Sequence, residues 1–304
     1  MRALVPTGKT GRLTELAELP DPIPAAGQAL VRVRHFSLNR PDYLYLATPG
    51  TDFRPGIDAV GTVEIPADGG PARGTPVVFH LPSGGAAAEL VAVPADSLAP
   101  LPAGLSPEIA ACLPLAGMVA LRLLKAAGPL SGRRLLATGA TGGVGQFLVQ
   151  LAIAAGAQIT VVAREDDAWR HLAQAGATVV HDVHALPAAT FDVVLESVGG
   201  TLGSAAATRL RQGGLFLWYG QAGGQPLTLD FFQLLGGGME LTLRHFVYLG
   251  HSDDRDDLAT LLDLAAAGTL QVEIGHRGPW QETSDVLESM AAGRLRGKAV
   301  LTIT

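Results

Sequence analysis

The chain of 304 residues contains a single cysteine, Cys112. It cannot close a disulfide within itself or build a cysteine-based zinc site, so nothing in it points to an oxidising compartment, and Cys112 reads as a small buried hydrophobe. Charge is scarce too: Asp, Glu, Lys and Arg make up 16% of the residues, against about a quarter in an ordinary soluble domain, while apolar residues reach 48%. Such a composition folds on its own core and does not stay disordered. Lys and Arg number 22 against 28 Asp and Glu, a net charge of −6, and no stretch gathers basic residues among aromatics. No nucleic-acid partner is expected. The longest apolar run, Ile109 to Leu121, is too short to span a bilayer and contains Pro114, and the opening MRALVPTGKTGRL has no signal-like apolar centre. A cytoplasmic protein without a membrane partner is expected.

What the chain does have is glycine and proline, 38 and 20 of them, still below the share of about 25 to 30% at which low-complexity sequence is the better reading. They are placed, and they divide the chain into sections. Up to about Glu108, short Val-rich runs such as ALVRVRHFSL, AVGTVEI, TPVVFH and AELVAV are bounded by Gly, Pro and Asp, the pattern of an antiparallel β domain. Ser106 and Pro107 then open a helix interrupted at Pro114 and closed by Gly128. From Arg134, strands and helices alternate through RLLAT, GQFLVQLAIAAG, QITVVA, FDVVLES, GGLFLWYG and MELTLRHF, which predicts a doubly wound α/β domain on a parallel sheet. After Tyr248 a helix, a strand at QVEI, a second helix and a last strand at KAVLTIT make a tail too short for a domain. We therefore expect a first domain over 1–112 completed by 248–304, and a dinucleotide-binding domain over 113–247.

The chemistry centres on Thr138-Gly139-Ala140-Thr141-Gly142-Gly143-Val144-Gly145, which follows an apolar strand and opens a helix. Glycines there let the backbone approach a pyrophosphate, and the helix start supplies free N–H groups and a positive dipole end. Thr138, Gly139, Gly142, Gly143, Val144 and Gly145 are thus candidate cofactor contacts. At the end of the next strand stands Ala163-Arg164, where an acidic residue would hold the ribose of NAD and a basic one the 2′-phosphate of NADP. Arg164 favours NADPH; Glu165 and Asp166 follow at once, so a shift of one residue in the strand end would reverse that choice. Ser197, Gly220, Phe246 and Val247, at or just beyond the ends of later strands, are further expected cofactor contacts, with core packing the competing role for Phe246 and for Trp218.

TGATGGVG also fits the glycine spelling of short-chain dehydrogenases. That reading fails because more than a hundred β-rich residues precede the motif and none of Tyr43, Tyr45, Tyr219 or Tyr248 has a Lys four positions later. With the motif central, the chain resembles the medium-chain dehydrogenase/reductase superfamily, and within it the zinc-independent quinone oxidoreductase (zeta-crystallin-like) branch. The matching stretches are Asn39-Arg40-Pro41-Asp42, Pro55-Gly56-Ile57-Asp58-Ala59-Val60-Gly61, GATGGVGQFLVQLAIAAGA, FDVVLESVGG and GKAVLTI. The resemblance implies a GroES-like β domain beside a Rossmann domain. It also implies that Asn39, Asp42 and either Tyr43 or Tyr45 line a substrate cleft, Tyr43 being the first choice of hydrogen-bond donor, and that Lys298 contacts cofactor or makes a tail salt bridge. Where zinc-dependent members carry Cys and Gly-His-Glu, this chain has Asn39 and Gly56-Ile57-Asp58, so no metal is expected.

Without a Lewis acid, hydrogen bonds alone must polarise a carbonyl, which favours hydride addition to a conjugated C=C–C=O group or a quinone. The expected function is an NADPH-dependent reductase of a small apolar quinone or enone. An enoyl-thioester reductase and a non-catalytic NADPH-binding protein are the alternatives. A homodimer through the strand at Glu240 to Phe246 is also expected, from its apolar alternation and the habit of the resembled family.

Overall fold

Val-rich alternation in the first hundred residues produces strands, because branched side chains pack well on a pleated surface and period two places one set of them in the core. In the computed structural model, which describes residues 1–9, 11–236, 240–249 and 254–304, β1 (Arg2–Lys9) and β2 (Arg12–Glu18) pair antiparallel as a small sheet of their own. Next come β3 (Gln28–Leu38), α1 (Arg40–Leu46), β4 (Asp58–Ile65), β5 (Pro76–His80), β6 (Leu90–Pro94) and β7 (Leu98–Pro100). The apolar stretch that follows is two helices, α2 (Pro107–Ala111) and α3 (Pro114–Ala127). Pro114 cannot continue the first helix because it has no N–H to donate, yet it starts the second without cost.

Beyond α3 the elements alternate: β8 (Arg134–Thr138), α4 (Gly143–Ala154), β9 (Gln158–Val162), α5 (Arg170–Gln174), β10 (Thr178–Val180), β11 (Phe191–Glu196), α6 (Gly200–Ala207), β12 (Leu210–Trp218), α7 (Phe231–Gly236) and β13 (Leu241–His245). The six strands form one parallel sheet in the order β10-β9-β8-β11-β12-β13. Counted from β8 this is the doubly wound order 3-2-1-4-5-6. Consecutive buried residues, Leu135 to Ala137 in β8 and Val193 to Leu195 in β11, show strands covered on both faces.

The chain then returns through α8 (Asp254–Ala266), β14 (Ile274–Pro279), α9 (Thr283–Ala291) and β15 (Lys298–Thr302). β15 lies antiparallel to β3, and the larger sheet runs β14-β15-β3-β4-β5-β7 with β6 also on β3. Phe36, Phe79 and Trp280 are fully buried in its core. The tail strand expected at QVEI sits instead at Ile274–Pro279, paired parallel with β15. Gly275 explains the shift: a Cβ there would overlap the carbonyl of Arg296, so this glycine permits the close approach. Pairing overrides the weak strand propensity of His276-Arg277-Gly278-Pro279. The chain divides into two compact units, residues 1–118 with 251–304 and residues 119–250, whereas the sequence pattern placed the divisions after 112 and after 247. Among the described residues no helix is long and apolar enough to cross a membrane.

Cys112 is wholly buried, and burial pushes its thiol up to about 12, so almost no thiolate exists near neutrality. The folded protein should resist alkylation by iodoacetamide for hours and take up one equivalent after denaturation. Mass spectrometry reads both, and rapid labelling of the native protein would contradict the placement.

Candidate functional site

β8 ends at Thr138, and Gly139 follows at φ +63°, a conformation that strains any residue carrying a Cβ. A Cβ on Gly139 would also strike the Ser197 hydroxyl, and one on Gly145 would overlap the backbone of Ala140. α4 begins at Gly143 with Gly142 as a cap that has no side chain to offer. Its first N–H groups, Val144 and Gly145 included, therefore face outward at the positive end of the helix dipole, suited to an anion. The turn lies at the carboxyl edge of the sheet beside β11, where the strand order reverses, the place at which open α/β sheets take their ligands.

The neighbouring strand ends brace this turn. The Thr138 hydroxyl donates to Glu196 Oε1 at 3.2 Å and accepts from the Ser197 N–H at 3.0 Å, while the Ser197 hydroxyl donates back to the Thr138 carbonyl at 3.1 Å. Glu196 is fully buried, and its Oε1 also accepts from the N–H groups of Val198 at 2.7 Å and Gly199 at 2.8 Å. Burial pushes its carboxyl up against the pull of those donors. Sequence reasoning passed over Glu196. The available signal was a carboxylate closing the apolar run FDVVL.

Arg164 stands two residues beyond β9 with its side chain 68% exposed. Its guanidinium meets Asp167 at 2.8 Å and, more loosely, Asp166 at 3.6 Å. Asp167, which the sequence pattern did not single out, is thus the carboxylate that reaches Arg164 best. At the ends of β12 and β13, Trp218 Nε1 donates to the Gly220 carbonyl at 2.7 Å, and the Trp218 and His245 rings lie 5.3 Å apart. Phe246 donates its N–H to the Trp218 carbonyl and buries its ring, while Val247 is 52% exposed. For Phe246 the packing role therefore has the stronger support.

In the other unit, a buried polar cluster joins the side chains of Asn39, Asp42, Asp58, His80 and Lys298 to nearby backbone. Asp58 Oδ1 accepts from His80 Nδ1 at 2.8 Å, its Oδ2 accepts from Asn39 Nδ2 at 2.8 Å, and both oxygens lie 3.1 Å from the Leu115 N–H. Lys298 Nζ donates to Asn39 Oδ1 and to the Leu38 carbonyl. Both ends of the Asn39 amide are thereby occupied within the fold. Asp42 accepts the N–H of Asn39 at 2.8 Å and that of Gly56 at 2.9 Å, closing the start of α1 as a capping carboxylate does. These bonds give Asn39, Asp42 and Lys298 the work of holding backbone and one another. Tyr43 and Tyr45 both lie on α1, not on a strand. Tyr43 is half-buried against the core, and Tyr45 is 47% exposed with its ring edge-on to Phe53 at 5.0 Å.

A model of the zinc-binding dehydrogenase family matches residues 166–301. The quinone oxidoreductase of Escherichia coli, solved in complex with NADPH, superposes with a TM-score of 0.88 at 22% identity, covering 99% of this chain and 100% of that one. The quinone oxidoreductase of Pseudomonas aeruginosa is 28% identical over 91% of this chain and 92% of its own length. Prostaglandin reductase-3 of Bos taurus is 32% identical over 91% of this chain and 81% of its own. The chain belongs to the medium-chain dehydrogenase/reductase superfamily. It is an oxidoreductase.

The family description raises zinc, and the donors of this medium-chain reductase do not suit it. Asn39 and Ile57, at the positions that the resemblance gives to zinc ligands, are not the Cys and His such a site needs, and the described residues contain no group of three or more His, Cys, Asp or Glu able to hold a metal. His35 is hydrogen-bonded to Thr302 and His80 to Asp58. A dinucleotide, in contrast, suits the glycine turn, whose N–H groups at the start of α4 are the donors a pyrophosphate would take.

Burial pushes the Asp42 carboxyl up to about 7 despite its two N–H donors. The folded chain then keeps a proton that the unfolded chain, with an ordinary carboxyl, loses near pH 4. Between about pH 4 and 7 the native state binds more protons, so this contribution to stability is full below that window and is lost as pH rises through about 7. Denaturant unfolding of wild type and Asp42→Asn from pH 4.5 to 8 should show wild type losing a few kcal/mol relative to the variant, since each tenfold change in proton affinity is worth about 1.4 kcal/mol. A difference independent of pH would count against it.

Proposed function

We propose that the protein is an NADPH-dependent, zinc-independent reductase delivering hydride to a quinone or an α,β-unsaturated carbonyl. The observation that carries this reading is the glycine turn over Thr138–Gly145 at the switch point of the parallel sheet, with Arg164 beyond the tip of the adjoining strand. Thr138, Gly139, Gly142, Gly143, Val144 and Gly145 would hold the pyrophosphate, Arg164 the 2′-phosphate, and Ser197, Gly220 and Val247 the nicotinamide end. NADPH supplies the hydride when bound. The chain's own task is to place a hydrogen-bond donor at the substrate oxygen, where negative charge develops as hydride adds to the conjugated carbon and a solvent proton completes the product. Tyr43 is the donor we assign. With Asn39 and Asp42 committed to their own hydrogen bonds, their part is to set the position of α1.

The position of both tyrosines on one helix makes the test sharper, since two residues apart on α1 means about 200° apart around it. Tyr43→Phe should lower turnover of an enone or quinone by roughly ten- to a hundredfold with NADPH affinity unchanged, because a donor to developing charge acts in the transition state. Tyr45→Phe should be neutral. Full turnover in Tyr43→Phe would remove the assignment. In fluorescence titrations NADPH should bind more tightly than NADH, and Arg164→Ala should narrow the gap; equal affinities in the parent would defeat that choice of cofactor.

β13 is one of the two edge strands of the six-stranded sheet, the other being β10, and its Leu243 is 40% exposed. An open edge of this kind favours pairing with a second copy, and we assign a homodimer to it. Light scattering at micromolar concentration should give twice the chain mass, and a monomer mass would refute the assignment.

A further inference from the structure

The turn after β9 carries a carboxylate held in place from several sides. The Arg164 carbonyl accepts the Asp167 N–H at 3.2 Å, and the Asp167 carbonyl accepts the Trp169 N–H at 3.0 Å. The Trp169 ring packs edge-on to His181 at 5.2 Å, and His181 Nδ1 lies 2.9 Å from the Ala163 carbonyl oxygen, which ties the segment back to the strand end. Asp167 itself is 19% exposed. Its Oδ1 receives the Arg164 guanidinium at 2.8 and 3.3 Å, and its Oδ2 receives the Arg164 N–H at 3.2 Å and the Thr141 hydroxyl at 3.3 Å. Burial pushes this carboxyl up, but the Arg164 donors and the Thr141 hydroxyl outweigh it and hold the group below its ordinary range, ionised at neutral pH.

Thr141 belongs to the glycine turn and Arg164 to the strand tip, so one carboxylate bridges the two elements assigned above to the phosphates of NADPH. NADPH and NADH differ at the ribose 2′ position: the first carries a phosphate of about −1.5 to −2 charge, the second a neutral hydroxyl. A guanidinium shared with a fixed carboxylate attracts a phosphate less than a free one, and the carboxylate repels that phosphate directly. The hydroxyl of NADH meets no such repulsion. We propose that Asp167 is a specificity-determining residue that opposes the 2′-phosphate and keeps the preference for NADPH small, so that the Arg164–Asp167 pair, and not Arg164 alone, sets the choice between the two cofactors. This rests on the reading of Arg164 as the 2′-phosphate group.

Binding measured on the full chain separates the two. Kd values for NADPH and NADH are read by calorimetry for wild type, Asp167→Asn, Asp167→Ala and Arg164→Ala, with thermal melts confirming that each variant folds. Asp167→Asn keeps an oxygen for the Thr141 hydroxyl while removing the charge, and it should tighten NADPH about tenfold with NADH within twofold, a gain that shrinks as salt rises. Asp167→Ala should shift NADPH in the same direction. If Arg164→Ala weakens NADPH while both Asp167 variants leave it unchanged or weaker, Asp167 merely orients the guanidinium and the proposal is wrong. If Arg164→Ala has no effect, the reading of Arg164 falls; if neither cofactor binds wild type, the dinucleotide reading falls, and the proposal with it.

Discussion

The Asp58 carboxylate gathers the interior of the first unit. It takes hydrogen bonds from the end of β5 through His80, from the residue between β3 and α1 through Asn39, and from the start of α3 through the Leu115 N–H. Asn39 passes the connection on to Lys298 at the head of β15. A buried carboxylate is tolerated only when its lone pairs are met, and here the donors that meet them come from separate elements. The desolvation that makes the group costly in isolation makes the arrangement specific: removing one partner leaves a buried polar group unmet, at about 1 to 3 kcal/mol.

In the second unit the equivalent constraint is steric. Backbone must pass close to backbone where β8 turns into α4, and close to Ser197 where β11 ends, and glycine at 139 and 145 is what permits both. The hydroxyls of Thr138 and Ser197 then lock the two strand ends together. A turn braced in this way would have little left to order if it took the proposed cofactor.

Much of this was legible in the sequence because each legible feature is local. Glycine at 139 announces a positive φ, Val alternation announces strands, and Pro114 announces a helix break. The helix α1 went unread in a section taken as strands, although Asn39-Arg40-Pro41-Asp42 carries its local signal, an N-cap followed by proline and a capping carboxylate. What was not legible depends on partners far away or on the shape of a turn. Asn39 and Lys298 meet across 259 positions, and no spacing rule connects them. Asp167 reaches Arg164 because three residues fold back on themselves, which the order Arg164-Glu165-Asp166-Asp167 does not reveal. The strand at Ile274–Pro279 is made by pairing with β15, against the preferences of its own residues.

The Lys298–Asn39 contact also orders events in time. The first unit is interrupted by all of the second, and β15, which pairs along β3, is the last strand in the chain. The entropy of joining ends so far apart grows only logarithmically with the length between them, so the separation matters more for sequence of assembly than for final stability. During synthesis the second unit leaves the ribosome with all six of its strands before Lys298 has been added. The first unit must wait with the His35–Leu38 edge of β3 uncovered, and open to wrong pairings, until β15 has been made.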